Sequence, residues 1–144
     1  MSTSSIRALV VDDFEPFRRF VCLTLEQIPD LQVIGEALDG LEAVQKADEL
    51  KPDLILLDIG LPKLDGLEAA KRIRQVAPDA AIIFLTQNRD RDVVRAALRT
   101  GARGYLLKTD VGSELLTAVA GVLGGDDFVS SGIEGVDSHE SKDT

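Results

Sequence analysis

Residue types that build many common functional sites are scarce in this 144-residue chain. The chain has one cysteine, one histidine and no tryptophan, and aromatic residues make up only 4% of it. Cys22 has no second cysteine with which to form an internal disulfide. One thiol and one imidazole, that of His139, cannot complete a zinc site built from cysteine and histidine. Any metal ion is therefore expected to be held by oxygen atoms.

Long apolar runs are also missing. No stretch approaches the roughly 18 apolar residues of a membrane span, and residues 1–5 lack the charged start of a signal peptide. The 16 basic and 25 acidic residues give a net charge of −9, and a negative surface repels a nucleic-acid polyanion. We therefore expect a cytoplasmic protein that contacts no membrane and does not bind nucleic acid directly.

Apolar runs typical of buried strands alternate with segments whose apolar residues recur every three or four positions, as in amphipathic helices. The predicted strands are residues 6–11, 31–37, 54–57, 80–85 and 104–107. Each return to a parallel strand needs a crossover, and a helix supplies it. The pattern predicts a doubly wound α/β fold, a flavodoxin-like three-layer sandwich with five parallel strands in the order 2-1-3-4-5.

The composition changes after Gly124 and Gly125. Residues 126–144 contain six acidic residues and one lysine and are poorer in apolar residues than the rest of the chain. We predict one domain over residues 1–125, followed by an acidic flexible tail or the start of a linker over residues 126–144. Phe128, Val129 and Ile133 are the residues of this segment that could dock locally.

Polar residues stand at the ends of four predicted strands. Asp12 and Asp13 follow the first strand, Asp58 the third, Thr86 the fourth, and Lys108 the fifth. Ligands of open parallel sheets bind outside the carboxyl ends of the strands, so these side chains are expected to share one crevice. Two carboxylates about 4 Å apart repel by roughly 4 kcal/mol at an effective dielectric constant near 20. A hard divalent cation such as Mg²⁺ removes this cost.

The two remaining side chains suit phosphoryl oxygens, because Lys108 brings an ammonium group and Thr86 a hydroxyl donor. An aspartate nucleophile, a metal ion, a cation and a hydrogen-bond donor are the groups needed to transfer a phosphoryl group onto a carboxylate. Each residue alone has a simpler interpretation, since an Asp-Asp pair after a strand is often a helix cap. Their combination at successive strand ends favours a site.

These motifs resemble a known family. The pair Asp12-Asp13, the segment DIGLPKLDG around Asp58, Thr86, and YLLK ending at Lys108 resemble the receiver domain of two-component response regulators. The resemblance covers residues 6–124. The runs LLKTD and AVAGVLGGDDFVSSGI are most similar to receivers of the nitrate-regulator, LuxR-type helix-turn-helix subgroup.

The resemblance implies a phosphoacceptor and a metal site. Asp58 would receive a phosphoryl group from the phosphohistidine of a sensor histidine kinase or a phosphotransfer protein. Asp13 and Asp58 would bind Mg²⁺ directly, the carbonyl of Gly60 would be a further ligand, and Asp12 would act largely through water.

The resemblance also implies which residues bind the phosphoryl group and which respond to it. Thr86 and Lys108 would bind it, and Tyr105 would be the switch aromatic that moves with Thr86. Gln87 replaces the small residue that is usual after the threonine, so we expect it to narrow the route to the phosphoacceptor and to alter rates.

Two other functions also fit an aspartate at the end of a parallel strand. A Mg²⁺-dependent aspartyl-phosphate phosphatase of the haloacid-dehalogenase kind would carry a second acid two residues after its nucleophile, and that position is Gly60. A flavodoxin-like cofactor binder would need a phosphate-cradling loop after the first strand, where Asp12 and Asp13 instead repel phosphate. We therefore expect a phosphoacceptor that assists its own phosphorylation and dephosphorylation rather than an enzyme. Homodimer formation, and the choice between a single-domain regulator and the receiver part of a DNA-binding transcriptional regulator, stay open.

Overall fold

The protein is a parallel sheet between two layers of helices, in a computed structural model that describes residues 5–131 and 133. The strands are β1 (Ile6–Val11), β2 (Leu31–Ala37), β3 (Leu54–Asp58), β4 (Ala81–Thr86), β5 (Gly104–Leu107) and β6 (Phe128–Val129). The helices are α1 (Glu15–Leu25), α2 (Gly40–Leu50), α3 (Gly66–Val76), α4 (Arg91–Arg99) and α5 (Val111–Leu123). A single 3-10 turn, Lys108–Asp110, joins β5 to α5.

The strand order is β2-β1-β3-β4-β5-β6, and all neighbouring pairs are parallel. The order predicted for the first five strands is confirmed, but the predicted number of strands is wrong. The sixth strand has only two residues, Phe128–Val129, which is too short to produce a readable alternation of apolar and polar positions. It lies in the segment that the sequence assigned to a tail.

The core consists of one apolar layer on each face of the sheet. Alternate residues of each strand point to opposite faces, so Leu9 and Val11 belong to one layer, whereas Ala8 and Val10 belong to the other. Buried residues of α2, α3 and α4 complete the first layer, and buried residues of α1 and α5 complete the second. The strand β3 is buried on both faces, as expected for the centre of a doubly wound sheet.

Some aspartates cap the first turn of a helix, and others stay free of any capping role. Asp39, Asp65 and Asp90 cap α2, α3 and α4, each accepting a hydrogen bond from a backbone N–H group of the first turn. By contrast, α1 begins without a side-chain cap. The Asp13 carboxylate at this junction is therefore not used by the helix.

Part of the segment 126–144 packs on the domain. Phe128 and Val129 are half-buried, and Ile133 is only 7% exposed, so these three residues dock as the sequence suggested. Residues 132 and 134–144, the rest of the predicted tail, lie outside the described residues. Within the described part of the chain, no helix is both long enough and apolar enough to cross a membrane.

Candidate functional site

The carboxyl ends of β1, β3, β4 and β5 surround a cleft of about 570 Å³. Its lining includes most of the residues singled out in the sequence, together with side chains from the start of α1 and the loop after β4: Asp13, Phe14, Phe17, Asp58, Ile59, Gly60, Thr86, Gln87, Asn88, Lys108 and Thr109. The convergence follows from the topology, since parallel strands of a doubly wound sheet present their carboxyl ends on the same edge.

Three carboxylates meet in this cleft. One oxygen from each of Asp12, Asp13 and Asp58 lies within 4.8 Å of the others. Asp12 is fully buried and Asp58 is 6% exposed, whereas Asp13 is exposed. The predicted grouping of these three acids is therefore present, and it combines two buried charges with one that faces water.

Lys108 is the cation of the cluster. Its Nζ lies 2.7 Å from Oδ2 of Asp12 and 3.5 Å from Oδ2 of Asp58. It also lies 4.7 Å from the centre of the Phe17 ring, close enough for a cation–π interaction. One ammonium group thus partly compensates two buried carboxylates, and an aromatic face on α1 holds it in place.

The remaining oxygen atoms of the buried acids have defined surroundings. Oδ1 of Asp12 accepts a hydrogen bond from the backbone N–H of Phe14 at 2.8 Å, and Oδ1 of Asp58 accepts one from Gly60 at 3.1 Å. Oδ2 of Asp12 is buried and has no well-aligned hydrogen-bond donor. An incompletely satisfied carboxylate oxygen beside two further carboxylates is a donor set that fits a hard divalent cation.

The charge on Asp58 is unfavourable in the folded protein. Burial raises the pKa of this carboxyl group above its ordinary value, the nearby Lys108 ammonium opposes the shift, and the Asp12 charge adds to it. The raised pKa means that desolvation and like-charge repulsion outweigh the attraction of Lys108. A bound cation or phosphoryl chemistry at this oxygen would relieve that cost.

A glycine brings the next helix close to Asp58. A Cβ atom placed on Gly66 would lie 2.3 Å from the carbonyl oxygen of Asp58 and 2.6 Å from Cα of Ile59. Such distances are sterically forbidden, so only glycine permits this approach. The backbone N–H of Gly66 also donates to the carbonyl of Ile59 at 2.8 Å, which closes the loop that carries Asp58 and Gly60.

Thr86 is connected to Tyr105 through the loop after β4. Its Oγ1 accepts a hydrogen bond from the backbone N–H of Asn88 at 2.9 Å. The hydroxyl group of Tyr105 donates to the carbonyl of the same Asn88 at 2.9 Å. The Tyr105 side chain is fully buried; burial raises its pKa, and hydrogen bonding with Thr86 opposes that shift.

Two predicted residues lie at the open side of the cleft. Gly60 and Gln87 are both exposed and both line it. Gln87 therefore lies at the exposed side of the cleft that contains Asp58, and its effect on access to Asp58 stays a prediction.

Three residues at the site carry no signal in the sequence pattern. Phe17 lies on α1 and packs against the apolar layer of α1 and α5, and its contact with Lys108 joins distant parts of the chain. Arg18 donates from Nη1 to the carbonyl of Asp12 at 3.0 Å and forms an ion pair with Glu36 at 2.6 Å. Asn88 links Thr86 to Tyr105 through its backbone, a role that no side-chain pattern reveals.

Comparisons with known proteins agree with this geometry. Residues 8–120 match the family model of the response regulator receiver domain. The chain is 42% identical over 130 residues to the transcriptional regulatory protein LiaR of Bacillus subtilis strain 168, covering 90% of this chain and 62% of LiaR. It is 36% identical over 126 residues to the nitrate/nitrite response regulator protein NarL of Escherichia coli K12, covering 87% of this chain and 58% of NarL.

A solved structure extends the likeness to three dimensions. The crystal structure of a LuxR-family two-component response regulator from Aurantimonas sp. SI85-9A1 superposes with a TM-score of 0.87 and 31% identity, covering 96% of this chain and 99% of that one. The chain spans about three fifths of the length of the two curated relatives. The match to the family model covers more than half of the chain, and the protein belongs to the family of response regulator receiver domains, with relatives of the NarL and LuxR type.

Proposed function

We propose that this domain is a phosphorylation-controlled signalling module that accepts a phosphoryl group on Asp58 and converts it into a change of a partner-binding surface. The observation that carries the proposal is the environment of Asp58. Its carboxylate is nearly buried, faces the cleft, has Lys108 Nζ at 3.5 Å and has two further carboxylates beside it.

Mg²⁺ is the cofactor that this donor set fits. Asp13 and Asp58 would hold it, with the carbonyl of Gly60 as a further ligand and Asp12 acting largely through water. When bound, the ion would neutralise the clustered charges and the charge that develops on the transferred phosphoryl group.

The residues of the chain perform the transfer as follows. An oxygen of the Asp58 carboxylate forms a bond to the phosphorus atom of a donor phosphohistidine, the phosphorus–nitrogen bond breaks, and its electron pair stays on the imidazole nitrogen. Lys108 stabilises the phosphoryl oxygens as a cation, and Thr86 donates its hydroxyl to another of them. The donor belongs to a sensor histidine kinase or a phosphotransfer protein, and water later hydrolyses the acyl phosphate.

The same side chains favour a signalling role over a phosphatase. The position two residues after Asp58, where a haloacid-dehalogenase phosphatase would carry its general acid, is Gly60. No other carboxylate described in the structure joins the cluster of Asp12, Asp13 and Asp58. The chain would therefore assist its own phosphorylation and dephosphorylation without turning over an external substrate.

The proposed output follows from the link between Thr86 and Tyr105. A phosphoryl oxygen that accepts from the Thr86 hydroxyl would draw this side chain toward Asp58 and away from the backbone N–H of Asn88. The carbonyl of the same Asn88 accepts the Tyr105 hydroxyl. The surface around α4, β5 and α5 would change as a result. Because the relatives LiaR and NarL are named as regulators, we propose control of transcription as the process served, in the cytoplasm.

The test is phosphorylation in vitro. The protein is incubated with acetyl phosphate and Mg²⁺, and the intact mass is measured. We expect one phosphoryl group on the wild type and none on Asp58→Asn, while Asp79→Asn, a matched change at an exposed position, is modified like the wild type. A phosphoryl group on the Asp58→Asn variant would refute the assignment.

A further inference from the structure

The free edge of β5 is covered by the chain itself. Without residues 128–129, β5 would be the last strand of the sheet, and an uncovered strand edge exposes backbone donors and acceptors that pair readily with other strands. Phe128 N donates to the carbonyl of Arg103 and Ser130 N to the carbonyl of Tyr105, both at 2.9 Å. We call residues 126–131 and Ile133 the edge clamp.

These two backbone hydrogen bonds hold the clamp to β5 only weakly, because each contributes about 1 kcal/mol net. The stability of the docked clamp therefore depends on its side chains. Val129 and Ile133 pack with the layer formed by α2, α3 and α4, whereas Phe128 packs with the layer formed by α1 and α5. The clamp thus bridges both apolar layers at the edge of the sheet.

A polar anchor fixes the clamp to α5. Ser130 is only 2% exposed, and its hydroxyl donates to Oδ2 of Asp110 and lies 3.1 Å from Oε1 of Glu114. The backbone N–H of Ser131 donates to the same Glu114 oxygen at 3.2 Å. At the other end, the ion pair of Arg103 with Asp127 at 2.7 Å is largely exposed and adds little stability. The hydroxyl of the exposed Ser131 donates to the other Glu114 oxygen. Ser130 is therefore the buried member of a two-serine polar anchor.

The anchor connects to the Asp58 site through consecutive hydrogen bonds. Thr86 Oγ1 accepts from Asn88 N, the Asn88 carbonyl accepts from the Tyr105 hydroxyl, and the Tyr105 carbonyl accepts from Ser130 N. Val129 is the register partner of Tyr105 in the sheet, and both side chains belong to the same apolar layer. Tyr105 thus meets the clamp twice: its backbone carbonyl accepts from Ser130 N, and its side chain shares an apolar layer with Val129.

We infer that the β5 edge is a strand-docking surface that the chain fills with its own edge clamp, and that phosphorylation of Asp58 weakens this docking through Tyr105. The inference rests on the proposed function. The occupant that fits the edge is a short parallel strand with apolar residues on both faces and a serine after them. A partner that adds a strand to this edge must first displace the clamp.

Amide hydrogen exchange of the full chain tests the inference, with beryllofluoride and Mg²⁺ as the phosphoryl mimic. Binding at the site is followed at the amides around Asp58. We expect the clamp amides to exchange about fivefold faster with beryllofluoride, the factor that corresponds to one net hydrogen bond. If amides around Asp58 respond and the clamp does not, the docking inference is wrong and the proposed function stands. If no amide responds, the proposed function fails and the inference fails with it.

Variants test the anchor and the route separately. Ser130→Ala should accelerate exchange of the clamp about fivefold without any mimic. Ser113→Ala removes an exposed hydroxyl on the same helix, 3.3 Å from the Asp110 carbonyl, and should leave exchange unchanged. Tyr105→Phe keeps the ring and removes the bond to Asn88, so the response of the clamp to beryllofluoride should disappear. Unchanged exchange in Ser130→Ala, or a full response in Tyr105→Phe, would overturn the inference.

Discussion

Replacing Asp58 by asparagine should stabilise the metal-free protein at neutral pH, although it removes a member of an ion pair. Asp58 lies 3.5 Å from Lys108 Nζ, an attraction of about 5 kcal/mol at an effective dielectric constant of 20. An Asp12 oxygen within 4.8 Å contributes a repulsion of at least about 3.5 kcal/mol on the same scale. The exposed Asp13 carboxylate, also within 4.8 Å, adds a repulsion that solvent screens. The small remaining attraction does not offset the cost of burying the Asp58 charge, as the raised pKa of this group indicates.

The substitution also leaves no unpaired charge behind. Lys108 keeps Asp12 at 2.7 Å, and the amide of asparagine can still accept the hydrogen bond from Gly60. We therefore expect Asp58→Asn to raise the free energy of unfolding by about 1 kcal/mol, since the penalty for one buried ion is several kcal/mol and most of it is balanced here. For a domain of this size, the melting temperature should rise by about 3 °C.

The pH dependence has a definite sign. Because the pKa of Asp58 is raised in the folded state, the folded protein binds this proton more tightly than the unfolded chain. The stability that the proton contributes is present below the ordinary aspartate pKa near 3.9 and is lost as pH rises through the raised pKa. The stability gained by Asp58→Asn should thus be larger at pH 7 than at pH 4.

Mg²⁺ should make the wild type more stable than Asp58→Asn. At 100 times its dissociation constant, a ligand that binds only the folded state stabilises it by about 2.7 kcal/mol. The wild type should gain this amount, and Asp58→Asn, which lacks a ligand charge, should gain much less. Calorimetric melting at pH 4 and pH 7, each with and without Mg²⁺, measures the stability under all four conditions. The control is Asp79→Asn, which changes an exposed carboxylate and should stay within about 0.5 kcal/mol of the wild type. A variant less stable than the wild type in metal-free buffer at pH 7 would refute the reasoning.

Three further outcomes are expected. Asp13→Ala should weaken Mg²⁺ binding at least tenfold in an NMR titration, because it deletes a direct ligand; equal affinity would remove Asp13 from the ligand set. Gln87→Ala should shorten the lifetime of the acyl phosphate on Asp58, because it opens the exposed side of the cleft to water, and an unchanged or longer lifetime would show that Gln87 is no gate. Burial raises the pKa of Cys22 from 9.0 to about 11, so its reaction with a thiol reagent at pH 8 should be about a hundredfold slower than that of an ordinary thiol; a rate near that of a free thiol would contradict the burial.

The local sequence accounts for most of the fold. The continuous apolar run at 54–57 predicts a strand that is buried on both faces. The apolar residues at helical spacing around it predict helices that are buried on one face. Both patterns can be recognised from residues that are close in the sequence. The need for crossovers predicted a parallel sheet, and the predicted strand order is the one typical of flavodoxin-like sheets. Because parallel strands end on one edge, the strand-end residues Asp12, Asp58 and Lys108 could also be predicted to meet, whereas their chemical roles stay predictions.

The tertiary structure decided what depends on contacts between distant segments. The sixth strand, Phe128–Val129, has no periodicity of its own and forms because the β5 edge supplies its partners. The same holds for the contact of Phe17 with Lys108 and for the backbone link from Thr86 to Tyr105 through Asn88. Local pattern determined which residues are buried and where the strands end. Only the packed chain determined which neighbours those residues have, because hydrogen bonds and ring contacts act over a few ångströms in space and not along the sequence.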